Sequence, residues 1–164
     1  MRHIALALLL LVPVAGHAAE RPNIIIMLAD DLGWADVGFH GGDIDTPSLD
    51  RLAAEGVELS RFYTTPICSP TRAAMMTGRD PMRLGVAYAV IWPWSNAGIH
   101  PDEHFMPQSF QAAGYQTAMV GKWHLGHSLQ AYHPNERGFD HFYGHLHTEV
   151  GYFPPFANQG GKDF

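Results

Sequence analysis

Hydrophobic and polar positions in the first third of the chain predict a strand, a helix and a second strand. Residues 23–29 form a short, β-branched apolar run, which is typical of a strand buried on both faces of a sheet. A helix follows, because Thr46 suits the N-cap, Pro47 suits the first helical position and Gly56 ends it. The loose alternation and strand-forming residues of 57–64 predict the second strand.

Two further helices are predicted from the signals at their ends. The first is expected to begin at Pro70, with Ser69 as its cap, and to stop near Gly78. The second is expected to cover Pro107–Ala113 and to end at Gly114.

A third strand is predicted over residues 115–120. By contrast, residues 88–103 indicate a loop rich in Pro, Trp and Gly, and the segment after Phe139 has no clear periodic element. Strands that alternate with helices predict an α/β fold with a mainly parallel sheet. Three strands are few for such a sheet, so we expect the fold to be incomplete at its C-terminus.

Polar residues follow two of the predicted strands. Asp30 and Asp31 follow the first strand, and Lys122 and His124 follow the third. Ligands of parallel sheets bind beyond the carboxyl ends of the strands, so we expect both clusters on one rim. The aspartate pair would favour a hard cation such as Ca²⁺ or Mg²⁺. Asp-Asp-Leu-Gly is equally good turn chemistry, and the sequence leaves both interpretations open.

The N-terminus is organised like a secretory signal peptide. A basic start at residues 1–3 is followed by the apolar residues 4–12 and by a small-residue exit, with cleavage expected after Ala18. The apolar run falls short of the roughly 20 residues that a bilayer span needs, and a buried helix is the alternative. We expect residues 1–18 to be removed and residues 21–164 to belong to the folded domain. The mature protein is expected in the periplasm or the extracellular space, without a membrane span.

The composition of the chain and its single thiol limit the classes of function that it can have. The 164 residues carry a net charge of -6 with 46% hydrophobic residues, which excludes a disordered chain, and the lack of a basic run argues against nucleic-acid binding. Cys68 is the only cysteine, so it is either a reactive or intermolecular thiol or a small buried apolar residue. Its position just before a predicted helix favours an anion. Arg72 opposes the helix dipole there, which suggests a bound oxyanion or a carboxylate partner, and the alternative is a helix cap with a solvated arginine.

The segment around this cysteine carries a family resemblance. Cys68-x-Pro70-x-Arg72, followed by Ala73-Ala74 and Thr77-Gly78-Arg79, resembles the signature of the type I sulfatases. Further stretches resemble the family's first metal-binding strand end, its first helix, its second signature and the segment that follows: residues 28–34, 46–53, 114–126 and 137–140. The similarity runs from Arg21 to Tyr143 in the family's order.

The resemblance implies an alkaline phosphatase-like α/β fold, with a mixed, mainly parallel sheet flanked by helices, and the hydrolysis of sulfate esters. It implies that a maturation enzyme recognises Cys68, Pro70 and Arg72 and oxidises the cysteine to Cα-formylglycine, whose hydrated aldehyde is the nucleophile. Asp30 and Asp31 are implied to bind Ca²⁺ in preference to Mg²⁺. The same ion is implied to contact the sulfate and the group made from Cys68.

Three basic side chains complete the implied site. Arg72 holds the formylglycine hydrate, Lys122 binds the sulfate and the nucleophile, and His124 hydrogen-bonds the second hydroxyl and later takes its proton. The family's remaining metal ligands, its leaving-group histidine and a second lysine are expected beyond Phe164. A chain that ended there is therefore expected to be inactive or nearly so.

The expected substrate is a sulfated glycan of the glycosaminoglycan type. Within the family, residues 37–41 and 91–93 most resemble the arylsulfatase B branch, which contains N-acetylgalactosamine-4-sulfatase. Two alternatives stay open at this point. One is a phosphonate or phosphate ester hydrolase on the same scaffold, and the other is an inactive truncated domain.

Overall fold

The computed structural model describes residues 21–148, and the predicted signal peptide lies outside them. In chain order these residues form the helices α1 (Pro47–Glu55), α2 (Cys68–Thr77) and α3 (Met106–Ala112), then the strands β1 (Ala118–Lys122) and β2 (His141–His145). Short 3₁₀ helices lie between them, at Trp34–Asp36, Gly38–His40, Pro81–Leu84, Gln130–Tyr132 and Pro134–Arg137. No helix within this range is long and apolar enough to cross a membrane.

The sheet in residues 21–148 consists of β1 and β2, which pair in parallel. Ala118 lies opposite His141, and Lys122 lies opposite His145. The parallel pairing agrees with the predicted α/β class. β2 corrects the expectation that no regular element follows Phe139, because this strand depends on pairing with β1 rather than on a pattern of its own.

The predicted strand at residues 23–29 is wrong for the described part of the chain. The segment forms no ladder there, and Ile25 and Met27 are 84% and 70% exposed instead of buried. Ile24 and Ile26, on the other face, line a cavity of about 450 Å³ beside β1. An apolar run supplies side chains for burial, but a strand also needs a partner for its backbone hydrogen bonds.

The predicted strand at residues 57–64 is also wrong, because a turn interrupts it at Ser60 and Arg61. The Phe62 N–H donates to the Leu59 carbonyl at 3.3 Å, which directs this backbone into the turn and not toward a neighbouring strand. The remaining strand prediction, residues 115–120, is confirmed with a shift, since β1 begins at Ala118.

The predicted helices are confirmed, with a one-residue shift at α3, which spans Met106–Ala112 instead of Pro107–Ala113, and a correction at α2. α1 begins after Thr46 and ends before Gly56, as expected. α2 begins at Cys68 and has Ile67 as its N-cap, so Ser69 is not the cap but lies buried in the first turn. Pro70 is tolerated there because the first N–H groups of a helix lack intrahelical partners.

The core packs α2 and α3 against the segment that leaves β1. Trp123 is 1% exposed, with ring centroids 5.8 Å from Phe105 and 6.2 Å from Phe139. Other buried apolar members of this cluster are Ala73, Met76, Val86, Ile91, Ile99 and Leu125. The core therefore fixes the position of α2 relative to the residues just after β1.

Candidate active site

Three segments of the chain meet at the carboxylate of Asp30. The Lys122 Nζ lies 2.8 Å from the Asp30 Oδ2, and the Arg72 Nη2 lies 3.6 Å from the same oxygen. Arg72 comes from α2 and Lys122 ends β1, and the Arg72 Nη1 also donates to the Lys122 carbonyl. The carboxylate partner expected for Arg72 is thus Asp30, and residues from the two predicted strand ends lie in direct contact.

The opposite charges in this cluster stabilise each other's ionised forms. Partial burial acts to raise the pKa of Asp30, but the hydrogen bond and charge of Lys122, together with the charge of Arg72, outweigh it and hold that pKa below its usual range. Burial lowers the pKa of Arg72, and the charges of Asp30 and Cys68 oppose this change. The Arg72 Nε is buried and has no hydrogen-bond acceptor in the described part of the chain. This buried donor is therefore unsatisfied within the described residues.

Cys68 lines a cavity of about 210 Å³ together with Asp30, Asp31 and Arg72. It is the first residue of the ten-residue helix α2, is partly exposed and forms no disulfide. First-turn N–H groups and the dipole of a helix favour negative charge at this end. The described structure therefore brings the solitary thiol, both aspartates and the arginine to one polar cavity.

Two threonines of the cavity wall were missed by sequence reasoning. The Thr71 Oγ1 donates to the Thr65 carbonyl at 2.6 Å, and the two threonine hydroxyls are 2.9 Å apart. Thr71 lies three residues after Cys68, and residues three apart share one face of a helix. That spacing is the signal that identifies it, whereas Thr65 meets the site only through the folded loop before α2.

Two site residues have a strained backbone. Asp31 has φ of 57° and His124 has φ of 64°, and no other non-glycine residue among the described ones has a positive φ. A side chain in the left-handed region is uncommon and costs free energy unless surrounding contacts impose it. For His124 these contacts include a 3.1 Å hydrogen bond from its N–H to the Leu146 carbonyl.

The His124 ring is buried beside the cluster and does not line the cavity with Cys68. Its Nε2 lies 3.2 Å from the Ile91 carbonyl, while its Nδ1 has no hydrogen-bond partner within residues 21–148. Burial lowers the pKa of His124 from 6.5 to about 4, and the positive charge of Lys122 acts in the same direction. The imidazole is therefore neutral at neutral pH, and its Nδ1 is buried without a partner among the described residues.

The donor chemistry of the cavity fits Ca²⁺, although few donors come from the described residues. Asp30 and Asp31 offer hard carboxylate oxygens, the kind of ligand that Ca²⁺ takes. No group of three or more His, Cys, Asp or Glu side chains within residues 21–148 could hold a metal ion. A full shell of about six to eight oxygens needs further ligands. Lys122 and Arg72 provide the positive charge beside Asp30 in this structure.

Comparison with known proteins decides the family. The family model described as Sulfatase matches residues 22–155. The chain belongs to the sulfatase family. This sulfatase chain is 44% identical over 142 residues to mouse arylsulfatase J, covering 86% of the chain and 24% of the relative. It is 42% identical over 165 residues to pig N-acetylgalactosamine-6-sulfatase, covering 93% and 31% respectively.

Solved structures agree with the sulfatase assignment and with the predicted fold. The crystal structure of Ps i-CgsB superposes with a TM-score of 0.78 at 44% identity, over 83% of this chain and 30% of that one. The PsFucS1 sulfatase from Pseudoalteromonas sp. gives a TM-score of 0.66 at 38% identity, over 74% and 25% respectively. The sulfatase chain thus spans about a quarter to a third of these relatives' length.

Proposed function

We propose that this chain forms the nucleophile-bearing part of an active site that hydrolyses sulfate esters. The observation that carries the proposal is the shared cavity of Cys68, Asp30, Asp31 and Arg72, with Lys122 in contact with Asp30. A sulfate ester is anionic, and its hydrolysis needs a nucleophile, positive charge around the sulfuryl oxygens and a proton acceptor. The chain provides a candidate for each of these needs.

Cys68 is proposed as the precursor of the nucleophile. A maturation enzyme that uses molecular oxygen would convert Cys68 to Cα-formylglycine. One hydroxyl of the hydrated aldehyde would attack sulfur while the ester oxygen leaves as the alcohol, and deprotonation of the other hydroxyl would then release sulfate and restore the aldehyde. Support comes from the accessible, unpaired thiol at the start of α2 and from the buried Arg72 Nε, a donor without an acceptor within residues 21–148. In the proposed site Arg72 orients this group, and its charge stabilises negative charge that develops on oxygen.

Asp30 and Asp31 are proposed to hold Ca²⁺, with further ligands from outside residues 21–148. The ion supplies positive charge at the sulfate. Because the Lys122 Nζ is only 2.8 Å from the Asp30 Oδ2, a cation bound by Asp30 repels the ammonium group. Lys122 is then free to contact a sulfuryl oxygen as a point charge, as the family resemblance implies.

His124 is proposed to accept the proton that the nucleophilic group releases in the second half of the reaction. Its ring is neutral at neutral pH because burial lowers its pKa to about 4. Nδ1 is the nitrogen without a described partner, so it is the proposed acceptor. A neutral, pre-positioned imidazole is the usual general base of enzymes.

The proposed substrate is a sulfated glycan. Support comes from the names of similar proteins: one relative is an N-acetylgalactosamine-6-sulfatase, and the Ps i-CgsB structure is also known in complex with k-i-k-neocarrahexaose. These names concern those proteins. The relative is named as a 6-sulfatase, whereas residues 37–41 and 91–93 resemble the 4-sulfatase branch, so the position of the sulfate on the sugar differs between the two. Export of the mature enzyme is likewise proposed, and N-terminal sequencing of the periplasmic protein tests cleavage after Ala18.

The test compares sulfate and phosphonate esters of the same phenol. The product of the complete reading frame is expressed with a formylglycine-generating enzyme, beside Cys68→Ala and the control Asp102→Asn, whose side chain is 92% exposed. We expect sulfate hydrolysis that Cys68→Ala abolishes and Asp102→Asn preserves. Faster phosphonate turnover would assign the chain to the phosphonate hydrolases instead, and no turnover of either ester would favour an inactive domain.

A further inference from the structure

Three buried residues form a closed ring of hydrogen bonds behind the proposed nucleophile. The Ser69 Oγ donates to the His124 carbonyl at 2.8 Å, and the Ile91 N–H donates to the Ser69 Oγ at 3.2 Å. The His124 Nε2 lies 3.2 Å from the Ile91 carbonyl and closes the ring. All three residues are at most 4% exposed, so water does not compete for these bonds.

This ring of hydrogen bonds determines which nitrogen of the His124 imidazole carries the proton. A backbone carbonyl can only accept a hydrogen bond, so the contact with the Ile91 carbonyl requires a proton on Nε2. A neutral imidazole has a single N–H, and Nδ1 is therefore left as the acceptor. The lowered pKa of His124 favours this neutral form. Nδ1 is also the buried atom for which residues 21–148 provide no partner.

Ser69 is the member that joins the other two. Its hydroxyl has one proton, which goes to the His124 carbonyl, and a lone pair that receives the Ile91 N–H. Ser69 thereby holds the backbone of His124, whose φ is 64°, next to Ile91. The carbonyl of Ile91 in turn orients the His124 imidazole. Because Ser69 directly follows Cys68 in α2, its hydrogen bond also connects the first turn of this helix to His124.

We propose that Ser69 is a positioning residue that keeps His124 in the Nε2–H form, so that Nδ1 is the proton-accepting atom of the site. This inference rests on the proposed function, in which His124 takes a proton. The role differs from the helix-capping role that the Ser-Pro sequence predicts. It also explains why a polar side chain is fully buried at the second position of Cys-x-Pro-x-Arg.

The direct test is ¹⁵N NMR of the imidazole nitrogens at neutral pH in protein labelled at histidine. His124→Gln assigns the signals, because it removes one ring. We expect the wild-type ring to be protonated at Nε2 and bare at Nδ1. A wild-type His124 imidazole protonated at Nδ1 overturns the inference, and this result does not depend on activity.

Variants then test the role of the serine. Ser69→Ala removes the hydroxyl, Ser69→Thr keeps it, and Ser109→Ala is the control, since it deletes a serine–histidine contact with the exposed His104. In Ser69→Ala we expect both tautomers of His124 in the NMR spectrum, while the other two retain the wild-type pattern. An unchanged pattern in folded Ser69→Ala contradicts the inference. If that variant does not fold, the wild-type spectrum and Ser69→Thr decide.

Activity distinguishes this inference from the proposed function. In the matured product of the complete reading frame, Ser69→Ala is expected to lower kcat for sulfate hydrolysis on the order of 2- to 10-fold with little change in KM, because the fraction of His124 in the wrong tautomer cannot act as the general base. Full kcat in Ser69→Ala would overturn the positioning role alone. Absence of sulfate hydrolysis in the wild type would overturn the proposed function and leave the tautomer result standing.

Discussion

Acidification is expected to destabilise the folded chain through His124. The ring is 1% exposed, and burial together with the charge of Lys122 lowers its pKa from 6.5 to about 4. Between these two pKa values, His124 is therefore protonated in the unfolded state but neutral in the folded state. Stability from this group is fully present above the unfolded pKa and is lost as the pH falls from about 6.5 toward about 4.

The size of this effect follows from the two pKa values. At about 1.4 kcal/mol for each pH unit, the full difference amounts to roughly 3 kcal/mol. Between about pH 8 and about pH 5 only part of it is lost, and linkage gives about 2 kcal/mol. This is a large fraction of the stability of an ordinary domain.

Urea unfolding at a series of pH values measures the loss. Aspartates such as Asp30 and Asp140, whose pKa values are also lowered, contribute at the acid end, so wild type is compared with His124→Gln at each pH. The free energy of unfolding of the variant should fall about 2 kcal/mol less over this range. His100→Gln is the control, because that side chain is 72% exposed. Parallel curves for wild type and His124→Gln would refute a buried, neutral ring.

Two further predictions concern the buried Arg137 and the proposed Ca²⁺ site. Arg137→Met should lower the free energy of unfolding by about 2–4 kcal/mol in thermal or urea unfolding, because its guanidinium is buried, stacks on Phe105 and donates to three carbonyls. Arg79→Met, which removes a partly exposed side chain and its ion pair with Glu103, should cost less than about 1 kcal/mol, and equal costs would contradict the structural role. Asp30→Asn in the complete gene product should weaken Ca²⁺ binding at least about tenfold by calorimetry, since it removes a charged ligand. The exposed Asp102→Asn should not, and unchanged affinity in Asp30→Asn would exclude the proposed ligand.

Helices were easier to predict from this sequence than strands. α1 could be bounded by Thr46 and Gly56 because its end signals act within a few residues. The strand expected at residues 57–64 failed, and the one at residues 23–29 remains unpaired within the described range, because a ladder depends on a distant segment. β2 was missed for the same reason, since only its pairing with β1 makes it a strand.

The charged part of the site could be predicted, whereas its supporting contacts could not. Asp30 and Lys122 were expected on one rim because parallel strands point their carboxyl ends the same way, and the unfavourable helix position of Arg72 indicated a partner. The local Ser-Pro sequence predicts that Ser69 caps the helix. Its real partners, Ile91 and His124, are 22 and 55 positions away, and only the packed core brings them together.

The chemical state of Cys68 tests the central claim most directly. Trypsin releases residues 62–72 as one peptide, whose mass can be measured after expression with a formylglycine-generating enzyme. We expect the mass of an aldehyde at position 68 and no labelling by a thiol-alkylating reagent. A peptide with an intact, alkylatable cysteine under conditions that convert a known sulfatase would contradict it.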